Sequence, residues 1–182
     1  MAVELAIIFL EVMVDGYSLI ALQTITRFSG RLSLFLFSAI FLLHNKPATI
    51  TAWLSPKFYL LFAIVHGIHL MELLAFVYSA GIQLNPYRTA GGFFAYLYIF
   101  AMPIFQSMTA QGNLTERRFY ILETVFLYYV WLMFFLTYLP RVQGKMPQAG
   151  GTFAEHVALL GWISTMMGMK LSSLIQFPRK RK

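Results

Sequence analysis

The sequence predicts an all-α, polytopic membrane helical bundle: a single integral membrane domain over residues 1–182, with about six transmembrane helices and both termini in the cytoplasm. Three observations predict it. Apolar runs near 20 residues recur along the chain, the length that covers a hydrocarbon core of about 30 Å at roughly 1.5 Å per residue. Hydrophobic residues make up 59% of the chain and charged residues only 12%, where a soluble domain carries about 25% charged. The bases lie between the apolar runs while most acids lie inside them. Lipid offers no hydrogen bonds, so each crossing segment must be helical.

The first two predicted spans cover about 5–25 and 31–43, parted by the short polar break Arg27-Phe28-Ser29-Gly30-Arg31. An alternative places the first segment in the interface, leaving five crossings. Residues 45–57, with Pro47, Trp53 and Pro56, suit a loop at headgroup level. The third span, about 58–81, is an almost unbroken apolar run carrying His66, His69 and Glu72. The fourth covers about 91–110 and holds Pro103, which removes a helical hydrogen bond. A fifth, about 119–139, is dense in Tyr and Phe, whose rings suit packing and interface anchoring. A Pro- and Gly-rich loop leads to the sixth, about 153–175, and to the basic tail from Arg179 to Lys182. Bases on the even loops and the tail outnumber those on the odd loops, which sets the cytoplasmic side. The Asn113-Leu114-Thr115 sequon then falls inside and reads as chance.

Charge and composition exclude several functions. The net charge is +7 with a pI near 9.8, yet no basic stripe interleaves with aromatics outside the apolar runs, so nucleic acid is not an expected partner. With no cysteine, disulfides, iron–sulfur clusters and thiolate metal sites are excluded. The N-terminal stretch lacks a basic n-region and has acids within its apolar part, so no cleaved signal is expected. No phosphate loop, nucleophile elbow or HExxH motif occurs, and no catalytic residue is assigned.

Ionisable residues within membrane helices mark candidate sites because their burial is costly. His66, His69 and Glu72 recur every three residues, stepping about 60° around the helix into one slanted stripe. Such histidines ligate haem or another metal through a neutral ring nitrogen, hydrogen-bond a quinone, or relay protons; the alternative is ordinary interhelical hydrogen bonding. Glu11 and Asp15 share a face of the first span and raise each other's pKa. They suit proton transfer or a cation, or pairing with Arg27 or Lys170. Glu123 and Glu155 fall in first helical turns, where the helix dipole favours an acid. His156 is a candidate ligand near the outer face, and His44 reads as solvated at the inner one.

The run from Ile25 to Asn45, ITRFSGRLSLFLFSAIFLLHN, followed by a histidine-bearing helix, resembles the ferric-reductase-like transmembrane family, which includes the haem-binding membrane subunits of methionine sulfoxide reductase systems. In that family a Ser-Gly or Thr-Gly followed by a polar residue opens a helix. The resemblance implies a six-helix bundle that holds b-type haem and passes electrons across the membrane from a quinone or flavoprotein. His66 or His69 matches one ligand position, but Trp53 or Pro56 stands about thirteen residues earlier and the fifth span has no histidine. The family's two-haem ladder is therefore excluded, leaving at most one haem b on His66 or His69, with His156 or His44 across it, or the same fold without haem.

The expected protein is thus a bacterial inner-membrane bundle with a buried histidine and carboxylate site. It works in electron transfer through one haem b or a quinone, alone or beside another membrane or redox subunit. The alternative is a proton-linked small-molecule carrier or a non-catalytic membrane subunit.

Overall fold

The structure, a computed structural model, describes residues 18–44, 57–146 and 150–176. Five helices account for nearly all of them: α1 (Leu19–Leu43), α2 (Phe58–Ser79), α3 (Pro86–Ala110), α4 (Glu116–Val142) and α5 (Phe153–Gln176). No strand occurs among the described residues. The helices α1, α2 and α4, and residues Thr89–Ala110 of α3, are long and apolar enough to cross a membrane. The chain is a membrane protein by that measure. The fifth helix, interrupted by Glu155, His156, Lys170 and several hydroxyl residues, is not among these four.

The break expected at residues 27–31 is absent, because α1 runs as one helix through it. Glycine costs about 1 kcal/mol inside an isolated helix, but in a membrane bundle small residues let two helices approach closely. Ser29 and Gly30 do this, lying against His69 of α2. The Ser-Gly pair therefore sits in the interior of a helix rather than opening one. Residues 19–25 of the expected first span belong to α1, Ser18 caps it, and positions 5–17 of that span lie outside the described residues. Three further boundaries move outward: α3 starts at Pro86, and α4 extends at both ends, from Glu116 through Pro140 to Val142.

Helix ends follow local chemistry. The Ser18 side chain accepts a hydrogen bond from the Ala21 N–H and caps α1. At the start of α5, Glu155 accepts from the Thr152 N–H while Thr152 Oγ1 accepts from the Glu155 N–H, a reciprocal capping box. The end of α2 turns back through Gly81 at φ 62°, with the Ile82 N–H bonded to the Val77 carbonyl. That left-handed position is one that glycine adopts at little cost.

Sequence neighbours pack side by side, and α1 also meets α5, so the helices close around α1. Half of the apolar window of α1 is buried, against 22%, 17% and 22% for α2, α3 and α4. The core is aromatic: Phe37 and Phe41 of α1 meet Phe62 of α2 and Phe126, Tyr128 and Phe134 of α4. Outward faces carry large apolar side chains such as Met71, Phe93, Phe94 and Ile104, each about 60% exposed or more. Lipid can cover such a surface.

Aromatic tips also tie the helices together. Tyr98 donates to the Leu122 carbonyl, Tyr129 to the Gly91 carbonyl, Trp131 to the Ile163 carbonyl and Trp162 to Ser38 Oγ. In each pair an amphipathic ring places its apolar body in the bundle and its one donor on a neighbouring helix.

Candidate functional site

The first and last turns of alternate helices meet at two ends of the bundle, and each end holds a polar cluster. At the end where α1 begins and α4 finishes, a cavity of about 390 Å³ opens between α1, α2, α3 and α4. His66 and His69 form part of its wall, with Thr26, Arg27 and Gly30 from α1, Tyr96 from α3, and Thr137, Tyr138 and Arg141 from α4. No acidic side chain lines it among the described residues. A largely apolar hollow with a few convergent polar groups is the usual form of a small-molecule site.

His66 is 8% exposed. Its ring lies 4.8 Å from that of Tyr96, 5.3 Å from Phe62, 5.5 Å from His69 and 5.9 Å from Phe134, between centroids. Its Nδ1 is buried without a hydrogen-bond partner among the described residues. Buried polar atoms are nearly always bonded, so this one requires a reason.

His69 is held differently. Its Nδ1 is 2.9 Å from Ser29 Oγ, and the same hydroxyl is 3.2 Å from the Thr26 carbonyl. Which of the two donates between Ser29 and the ring follows the ring tautomer, but either way the contact orients the imidazole. A hydrogen bond to one ring nitrogen that orients the other is the arrangement found behind metal-ligating and proton-accepting histidines. The bare Gly30 backbone leaves room for the ring: a Cβ at that position would stand 3.0 Å from His69 Cε1 and 3.4 Å from Nε2.

The other sequence candidates do not join this cavity. Glu72 is on the same helix with its carboxylate oxygens buried, but it does not line the hollow. His156, 7% exposed, is bonded through Nε2 to the Gly150 carbonyl at 3.0 Å and is likewise absent from the lining. Glu11 and Asp15 lie outside the described residues. His44 ends α1, and 14 residues of helix from Gly30 amount to about 21 Å. Groups of three or more His, Cys, Asp or Glu that could share a metal do not occur among the described residues.

The cavity mouth is cationic. Glu155 makes ion pairs with Arg27 at 3.4 Å and Arg31 at 3.2 Å, tying α5 to α1. Arg141 lies 5.1 Å over the Tyr138 ring, and the Nε atoms of Arg27 and Arg141 are buried without partners among the described residues.

The opposite end holds a cluster that the sequence reading passed over. Glu123 accepts a hydrogen bond from the Tyr59 hydroxyl, and its other oxygen is 3.3 Å from His44 Nδ1. His44 is therefore not solvated: its side chain is 6% exposed and its ring stacks on Tyr120 at 5.7 Å. Nor is Glu123 merely a cap, since its carboxylate reaches two other helices. Lys170 of α5 donates to the Phe41 and His44 carbonyls at 2.9 and 3.1 Å, satisfying acceptors that the end of α1 leaves open. The signal available in the sequence was Glu123 within an apolar run, but its helix-start position offered a simpler explanation.

No family model, curated protein or solved structure matches the chain.

Proposed function

We propose that the protein is a redox subunit of the bacterial inner membrane whose His66–His69 cavity takes a quinone head or one b-type haem, in keeping with its resemblance to the ferric-reductase-like family. The observation that carries this reading is His66 Nδ1, buried beside a hollow and bonded to nothing among the described residues. A quinone carbonyl would receive a hydrogen bond there. His69 next to it, oriented through Nδ1 by Ser29, would supply a second hydrogen-bonding nitrogen.

A haem fits these residues as a group held from one side. When bound it supplies one-electron transfer. His66 or His69 would ligate its iron, Tyr96 and Phe134 would flank it, and Arg27 and Arg141 would face its carboxylates. Because His156 is held by Gly150 and His44 lies at the other end of α1, no histidine from a helix other than α2 lines the cavity among the described residues. A quinone, which needs only donors and acceptors, makes the smaller demand on this site.

In this reading the end with His44, Lys57, Arg117, Arg118 and the basic tail faces the cytoplasm. Arg27 and Arg31 lie within α1 rather than in a loop, which lowers the loop charge at the opposite end and strengthens that orientation. A sixth crossing, with the N-terminus also inside, would draw on residues 1–17.

The test is an optical spectrum and quinone analysis of protein extracted from membranes in mild detergent. A Soret band, or co-purified quinone, that is lost in His66→Ala supports the reading; neither in the wild type overturns it. The Tyr59–Glu123–His44 cluster favours a second reading, a proton-linked carrier. Absence of proton-driven transport in vesicles holding the purified protein would exclude that reading, and transport that survives Glu123→Gln would exclude the cluster from it.

A further inference from the structure

We propose that the mouth of the histidine cavity is an oxyanion site, taking the carboxylate or phosphate head of a lipid-borne molecule between Arg27 and Arg141. It is compatible with a quinone at the histidine end, whereas a haem there would use the same two arginines. Three guanidiniums gather there, close enough that Arg27 and Arg31 act on the charge of Arg141, and Glu155 is the one carboxylate paired with any of them among the described residues. That carboxylate bridges Arg27 and Arg31, leaving Arg141 without an ion pair among the described residues. Guanidinium groups bind carboxylate and phosphate oxygens through paired N–H donors. Both Arg27 and Arg141 line the hollow and each keeps a buried, unpartnered Nε.

The rest of the wall sets the ligand class. Leu73, Phe76, Val77, Ile82 and Leu84 line the same hollow along α2 and the turn after it. Gln23 and Thr137 supply further polar atoms at the arginine level. A head on the guanidiniums and a tail along these apolar residues satisfy both halves of the surface. Free phosphate would use only the first half.

The experiment measures binding to the full chain in detergent by native mass spectrometry or calorimetry, with palmitate, hexadecyl phosphate, hexadecanol and inorganic phosphate as probes. The expected result is that palmitate or hexadecyl phosphate binds at least tenfold tighter than hexadecanol. Arg141→Gln should lose at least tenfold, Arg141→Lys should fall between it and the wild type because an ammonium keeps the charge but not the paired donors, and Lys145→Gln in the following loop should bind as the wild type does. Should Arg141→Gln fail to fold, Arg141→Lys and the hexadecanol comparison still decide. Equal binding of hexadecanol, or no loss in a folded Arg141→Gln protein, overturns the site. Inorganic phosphate binding as tightly as hexadecyl phosphate overturns the lipid tail. A protein that binds palmitate but shows neither Soret band nor quinone separates this site from the redox reading.

Discussion

His69 of α2 lies against the bare backbone of Gly30 in α1, so near that an added Cβ would meet its ring carbon Cε1 at 3.0 Å. The contact fixes how closely the two helices approach. Gly30→Val should force the ring or the helix aside and cost about 1–3 kcal/mol, the usual range for overpacking. Chemical denaturation in detergent would measure it, and an unchanged midpoint would show that the ring moves freely.

The hydrogen bond between His69 and Ser29 makes a separate claim. Ser29→Ala removes the hydroxyl that orients the ring through Nδ1, at a cost of about 1 kcal/mol. Ser29→Thr keeps the hydroxyl. The nitrogen chemical shifts of His69 should reveal a changed tautomer mixture in the alanine variant and not in the threonine one.

At the other end, Tyr59 and His44 share the carboxylate of Glu123. Tyr59→Phe and Glu123→Gln should each destabilise by about 1–3 kcal/mol, because each leaves a partner short of a bond in a buried place. Together they should cost less than the sum of the two. Strict additivity would mean that the hydroxyl and the carboxylate do not interact.

Acid should loosen α5 from α1. The Thr152 N–H, followed by Arg31 and Arg27, holds the Glu155 carboxyl below its ordinary value, against an opposing effect of burial. A depressed acid adds stability that is complete above its unfolded pKa and lost as pH falls through the folded one. Hydrogen exchange in the first turn of α5 should therefore rise on acidification below about pH 4, near the free carboxyl value. Glu155→Gln should already exchange fast at neutral pH and show no acid step.

The helical class and four apolar helices were legible because hydropathy over 20 residues outweighs local detail. His66, His69 and Glu72 stand out in the sequence as ionisable groups in an apolar run, but only the packing shows that the two histidines line the hollow and Glu72 does not. The break at Ser29 and Gly30 was misread because their small size admits a neighbouring ring, and a single sequence does not show what lies opposite. The Glu123 cluster was missed for the same reason, since Tyr59, His44 and Lys170 come from three other helices. Arg27 was weighed as a partner for Glu11 or Asp15, and only the packing of α4 beside α1 brings Arg141 to the same hollow.

The closure of the bundle by α5 also sets an order of events during synthesis. Glu155 follows Arg27 by 128 residues, which at ~5–20 residues per second is roughly 6–26 s of translation. For that interval α1, the helix that ends up most enclosed, waits in the membrane without the carboxylate that will bridge Arg27 and Arg31. Helix α5 is thus the clasp, and a chain stopped before it presents an unfinished, charge-bearing segment to the machinery that removes unassembled membrane proteins.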